Sequence, residues 1–423
     1  MKKKVLILAY FFPPCNLPAS QRAYGWAKFL HKFGYYPVIV TRNWDVPITC
    51  QRDVTKSSGT EPIIQKFDEY EVHYIPYKAG IRDSLVVSGN FYMFRKMLTF
   101  LELLLQNFFI IFNPYKHLYK YSTTLFRYKS FDFIIITGNP FALFAFGKRL
   151  SKLFKAPFFA DYRDDWNTDE IKSKPKGVEK FIQFIESFSE RRWIRHSIGI
   201  TSVSEHYTKK IAEFVNKKGY TIYNGFIPED IIDDSFELDK NFSIVYNGSL
   251  YKSQNICMFL DGFKLFINSN PQIKAKLLFP GLKYDPIQAE RVSIQMKGYE
   301  HAIEILDRIP RKQVIEMQKK SHALLMISHT NAKGVLSSKL FEYIGIKKPI
   351  ILCPGDKDEI DAIMRTLDYT YICNSAEEVA KSLEDLYKES NSNLLKFNDT
   401  NSRNSYSREI QTKKLAQIFD SLL

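Results

Sequence analysis

Residues 337–349 read Ser-Ser-Lys-Leu-Phe-Glu-Tyr-Ile-Gly-Ile-Lys-Lys-Pro, and no other stretch of the sequence groups so much chemistry so tightly. Ser337 or Ser338 is a good N-cap, so the free N–H groups of a first helical turn and the positive end of its dipole would face the preceding loop. Such a helix start binds anions. Lys339 adds a full positive charge there, and Glu342, four residues after Ser338, falls on the same face. A phosphate at the cap and a sugar diol at the carboxylate are what a nucleoside diphosphate would offer. The same spacing also describes an ordinary capped helix with Lys339 and Glu342 solvated, and short motifs match by chance.

Two further groups have residue types suited to ligands. Asn247-Gly248-Ser249-Leu250-Tyr251-Lys252 follows an apolar run; its glycine lets a ligand approach the backbone closely, and Lys252 is long enough to reach a phosphate or to be a plain turn lysine. Asp161-Tyr162-Arg163-Asp164-Asp165-Trp166 ends another apolar run, where open α/β sheets bind ligands; the alternative is a structural salt bridge from Arg163 to a neighbouring aspartate.

The elements that must hold these groups follow from hydropathy. Continuous apolar runs at 4–10, 37–41, 71–77, 133–137, 157–162, 198–203, 242–246, 275–280, 303–306, 323–328 and 350–352 predict buried parallel strands. Between them, helical periodicity appears over 22–33, 141–154, 177–196, 376–387 and 406–423, with Gly34 stopping the first. Alternation of strand and helix in both halves predicts two doubly wound α/β domains. Residues 43–70 are polar and predict a long loop, and residues 227–240 are acidic and loop-like. The run 91–112 is the most aromatic part, with Thr99, Glu102 and Gln106 on one narrow stripe; it is either a core helix, the favoured expectation, or a helix lying in a membrane interface.

These segments together resemble the family 4 retaining glycosyltransferases of GT-B architecture, of the bacterial polysaccharide type. The residues that carry the likeness are Ser338-Lys339-Leu340-Phe341-Glu342-Tyr343 with Lys348-Pro349, Phe12-Pro13-Pro14 with Gln21-Arg22, the 161–166 cluster, and Tyr223-Asn224-Gly225. The resemblance implies two Rossmann-like domains facing across a cleft: an N-terminal acceptor domain of residues 1–226 completed by 406–423, a hinge at 227–239, and a donor domain of 240–405. It implies that Gly248, Ser337, Ser338, Lys339 and Glu342 hold a nucleotide-sugar of UDP or GDP type, with Arg308 in the base-binding loop. Lys252 and Lys339 would stabilise the departing diphosphate. Asp161 and Asp164 would bind or deprotonate an acceptor hydroxyl, and Gln21, Arg22 and Arg163 would face the acceptor. The nucleotide-sugar is a co-substrate, so neither a cofactor nor a metal is expected. The family's first acidic residue, eight positions before the second, falls at Gly334, so half of that carboxylate pair is missing.

Composition sets the remaining bounds. The chain has 423 residues, and no apolar run approaches the roughly 18 residues of a membrane span. The start, Met1 to Tyr10, fits a first strand better than a signal peptide because Pro13-Pro14 follows at once. Five scattered cysteines (Cys15, Cys50, Cys257, Cys353, Cys373) fit reduced thiols in a cytoplasmic protein. Residues 1–226 hold 34 Lys and Arg against 19 acids, whereas residues 227–423 hold 26 against 27, so the first half carries all of the +14 net charge. That asymmetry suggests an anionic partner there. The expectation is a transferase acting on a lipid-linked or cell-surface glycan, peripheral at the inner face of the membrane through its basic first domain. A sugar-nucleotide epimerase is the alternative enzyme. A nucleic-acid-binding protein ranks lowest, since the basic residues are dispersed and no such motif is present. Asp356-Lys357-Asp358 has the Asp-x-Asp spacing of metal-dependent transferases of another fold and also of chance dyads in acidic loops.

Overall fold

The computed structural model describes residues 2–45, 48, 51–89, 91–168, 176–231, 237–330, 332–392 and 401–422. Cys50 and residues 232–236 of the expected hinge lie outside the described residues. The chain divides into two compact units, Met1–Tyr223 with Gln411–Leu423, and Asn224–Ile410.

The first unit is built on β1 (Lys3–Ala9), β2 (Tyr35–Arg42), β3 (Ile63–Lys66), β4 (Glu71–Ile75), β5 (Phe133–Gly138), β6 (Phe158–Tyr162), β7 (Gly199–Ser202) and β8 (Gly219–Thr221). Their order is β3-β4-β2-β1-β5-β6-β7-β8, and every pairing is parallel except β3 with β4. β1 reads as an unbroken apolar run because both of its faces are covered. Leu6 and Leu8 pack with Leu118, Phe146, Leu150 and Ile194, while Val5, Ile7 and Ala9 pack with Ala23, Trp26, Leu415 and Phe419.

The second unit has β9 (Phe242–Val245), β10 (Ala275–Phe279), β11 (Ile303–Ile305), β12 (Ala323–Met326), β13 (Ile350–Leu352) and β14 (Thr370–Ile372), all parallel, in the order β11-β10-β9-β12-β13-β14. In both sheets a central strand is flanked by neighbours wound in opposite directions. Strand order reverses between β1 and β5 and between β9 and β12, and the loops leaving such a pair part to open a crevice.

Two expectations needed correction, and the strand β14 was missed. Within 43–70 lies an edge strand, β3, whose four residues are all exposed, so burial never imprinted an alternating pattern on them. β14 is three half-buried residues, too short for a hydropathy signal. The 91–112 run is not a core helix: the Tyr92–Gln106 helix has no fully buried residue.

Candidate functional site

At the reversal in the second unit, Ser337 caps the Ser338–Ile346 helix, its hydroxyl accepting from the Lys339 N–H at 3.2 Å, and Ser338 is exposed at the first helical position. Lys339 turns back over the end of β9. Its Nζ donates to the Tyr246 hydroxyl at 2.9 Å and the Ser249 carbonyl at 2.8 Å and lies 4.1 Å from the Tyr246 ring centroid. Lys339 is half-buried, and burial pushes its ammonium down to about 7 against the opposite pull of Glu342. Burial and then the same lysine lower the pKa of His329, whose ring meets the Ser253 hydroxyl at 2.8 Å.

Two glycines keep the space beside this lysine clear. Gly248 has φ +83°, and a Cβ there would stand 3.6 Å from Lys339 Cε; Gly281 has φ +87°, and a Cβ there would stand 3.7 Å from Arg308 Cγ and 3.8 Å from Gly248 Cα. Gly248, Gly281, Lys339 and the stem of Arg308 therefore border one small space at the ends of β9 and β10. Arg308 is exposed and stacks 3.7 Å over the Tyr284 ring, while Lys252 is exposed on the far part of the β9 loop. Gly248→Ala is expected to destabilise the chain by about 1–2 kcal/mol, because a left-handed backbone is imposed on a side chain. Thermal unfolding checks this, and a stability equal to that of the parent would show that the turn relaxes.

Glu342 is mostly buried and accepts from Arg311 Nη1 at 2.6 Å, Gln318 Nε2 at 2.9 Å and Asn247 Nδ2 at 3.3 Å. The Asn247 N–H donates to the Tyr343 hydroxyl at 2.9 Å, so helix and β9 loop are fastened at two points. Gly281, Tyr246 and Arg311 escaped sequence reasoning. Only Gly281, a glycine directly after a strand, carried a signal that could have found it.

Gly334, where an acid was missing, has φ +68° and donates its N–H to Asp358 Oδ2 at 2.6 Å. Asp356 accepts the N–H groups of Asp358, Ile360 and Asp361, each at 2.9 Å. The Asp-x-Asp pair thus shapes its own loop through backbone hydrogen bonds.

In the first unit the expected acceptor residues separate into two kinds. Arg22 and Asp161 are buried against each other, with Arg22 Nη2 and Nε reaching Asp161 Oδ1 at 2.7 and 3.0 Å. Arg22 Nη1 also donates to the Ile222 carbonyl at 2.8 Å, and Thr201 donates to Asp161 at 2.8 Å. A carboxylate with 0% exposure that already accepts from an arginine and a threonine joins the 20–29 helix to β6 and is not placed to take a proton from a sugar. Arg22 and Asp161 are thus partners of each other inside the first unit. Asp164 is exposed two residues beyond the strand end, and Gln21 is half-buried at the start of the 20–29 helix. Arg163 is half-buried, donates to the Gly138 and Asn139 carbonyls at 3.2 and 2.6 Å, and lies 5.5 Å over the Phe11 ring.

Beneath this loop Glu190 is buried and accepts from the Tyr162 hydroxyl at 2.9 Å and Asn167 Nδ2 at 2.6 Å. Burial pushes its carboxyl up to about 7. Nothing in the sequence singles it out, since it is one of several charges on an amphipathic helix.

Solved structures share this two-unit plan over the full chain. An α,α-trehalose-phosphate synthase (UDP-forming) from Burkholderia vietnamiensis aligns with TM-score 0.64 and 10% identity, covering 100% of this chain and 99% of that one. The sucrose-phosphate synthase of Thermosynechococcus elongatus gives TM-score 0.64 at 10% identity over 100% and 99%. A glycosyltransferase from Rickettsia africae gives TM-score 0.60 at 13% identity over 100% and 98%. The chain has the GT-B fold. No protein-family model matches it, and no curated protein does. The GT-B fold at such identities leaves the chemistry to the residues, and the second unit's candidates lie at the reversal between β9 and β12.

Proposed function

We propose that the protein is a retaining glycosyltransferase that moves a hexosyl or N-acetylhexosaminyl group from a nucleotide-sugar to a lipid-linked or cell-surface glycan in polysaccharide biosynthesis. The observation that carries this is the Lys339 side chain held beside the bare turn at Gly248, which Gly281 adjoins, at the start of a capped helix. Cleaving a sugar–phosphate bond needs positive charge fixed where the diphosphate departs, and a site built beforehand for that charge does not have to reorganise. Lys339 and the N–H groups of the Ser338–Ile346 helix supply it, with Lys252 and Arg308 as exposed cations at the rim. Glu342, oriented by Arg311 and Gln318, is the acceptor for a ribose diol. The name of the trehalose-phosphate neighbour, UDP-forming, favours uridine over guanosine diphosphate. In the first unit Asp164, exposed beside Arg163, is the carboxylate open to an acceptor hydroxyl. No metal takes part in this scheme.

The placement at a membrane follows from the basic first half of the sequence. Among the described residues no helix is long and apolar enough to cross a bilayer, so the association would be peripheral.

Calorimetric titration with UDP, GDP and ADP tests the donor assignment. One diphosphate, UDP by preference, is expected to bind in the micromolar range. Failure of all three to bind would overturn the transferase proposal.

A further inference from the structure

We propose that the exposed apolar face formed by the Tyr92–Gln106 helix, the turn at 107–112 and the Val178–Ile194 helix seats the protein on an anionic bilayer. This rests on the membrane-bound acceptor proposed above and names the surface and lipid chemistry it would use.

The Tyr92–Gln106 helix and the Val178–Ile194 helix pack on each other, the Phe100 and Phe181 rings 6.4 Å apart and Leu103 and Leu104 set against Ile182 and Ile185. Their other faces remain uncovered. Met93, Met97 and Leu101 repeat every four residues along one helix, and Phe181, Phe184 and Phe188 line the other; all six are exposed, Met93 to 75% and Phe184 to 69%. Phe108, Phe109, Ile111 and Phe112 extend the patch across the intervening turn. Soluble surfaces rarely leave so much contiguous apolar area in water without a partner.

Cations tied to this same segment specify the partner. Arg149 Nη2 donates to the Phe108 carbonyl and Arg192 Nη1 to the Asn107 carbonyl, both at 3.4 Å, and Lys116 Nζ donates to the Ile111 carbonyl at 2.6 Å. Arg95 and Lys96 lie 5.3 and 4.6 Å from the Tyr92 ring centroid. Lys148, Lys152 and Arg195 thicken the cluster, and the four neighbouring cations Arg192, Lys152, Arg149 and Arg195 add to burial in lowering the Lys148 ammonium. Among the described residues the nearby acids include Glu102, paired with Arg82 at 2.8 Å, the buried Glu190, Glu179 and the half-buried Glu186, fewer than the cations. Exposed Phe and Met side chains rimmed by Lys and Arg match the acyl boundary and the phosphates of an anionic leaflet. A second copy of the chain would set one cation cluster against another, and a nucleic acid offers nothing for the phenylalanines.

The patch also adjoins the acceptor loops of its own unit. Asn113 Nδ2 donates to the Ala142 carbonyl at 3.2 Å, and Phe141, one residue earlier, stacks on Trp166 with centroids 4.9 Å apart. A glycan whose lipid stays in the bilayer would thus meet the β5 and β6 loops without leaving the membrane surface.

The test is co-sedimentation of the full chain with vesicles of phosphatidylcholine, alone or mixed with phosphatidylglycerol. The chain is expected to pellet with the mixed vesicles and to be released as salt rises. Phe184→Glu and Lys152→Glu are each expected to lower partitioning about tenfold or more. Both positions are exposed, so circular dichroism melts should match the parent. Overturning results are a chain left in the supernatant, equal pelleting on neutral vesicles, or a dimer in ultracentrifugation that Phe184→Glu dissociates. UDP titration of the same sample reports on the second unit alone. Lost vesicle binding with UDP binding intact removes the docking surface, and the converse removes the transferase assignment.

Discussion

Lys339→Ala is expected to lower kcat/KM by about 10²–10³-fold, the range seen when one preorganised donor to a developing anion is removed. Diphosphate affinity should fall with it, because the lysine acts on the leaving group before and after the bond breaks. The parent chain should also show a pH signature. Burial holds the free ammonium near 7, and a bound diphosphate would move it upward by favouring the charged form. Between those two values the complex holds more protons than its separated components. Binding therefore takes up a proton, and the association constant drops by up to about tenfold per pH unit above 7. Calorimetry in two buffers of different ionisation enthalpy measures the uptake directly. Lys339→Ala should abolish it; affinity that is unchanged in this variant would count against the pocket.

Arg22→Ala or Asp161→Asn should each destabilise the first unit by about 3–5 kcal/mol, since removing one partner leaves a buried charge or a buried polar group uncompensated. Arg22→Met with Asp161→Leu should recover most of the loss, because the desolvation of both ions disappears together. The readout is convenient. The four tryptophans, Trp26, Trp44, Trp166 and Trp193, all lie in the first unit, so their fluorescence during urea unfolding follows that unit and not the other. Diphosphate binding by the second unit should persist in Asp161→Asn. A variant of full stability with turnover lost would restore Asp161 as a catalytic residue.

What the sequence disclosed and what it hid divide along physical lines. β1 and β9 were legible because burial on both faces leaves an unbroken apolar run, and the capped start at Ser337 was legible because capping is a local interaction. The Arg22–Asp161 pair was not, since its partners are 139 positions apart and an isolated arginine at a helix start resembles a solvated one. Glu342 was found as a carboxylate on the right face, but the side chains that orient it, Arg311 and Gln318, come from a different helix with no motif of its own. The Tyr92–Gln106 helix misled for the opposite reason. Hydropathy reports which residues avoid water and says nothing about whether protein or lipid shelters them.

The segment Gln411–Leu423 belongs to the first unit although 187 residues of the second precede it. Its Phe419 ring sits 4.1 Å from Phe133, 5.5 Å from Phe159 and 5.8 Å from Tyr35. During synthesis the amino-terminal unit therefore waits with one face of its sheet only partly covered, by the 20–29 helix, until residues 411–422 clear the ribosome. Completion runs back to front: the whole of the second unit is synthesised before the segment that closes the first.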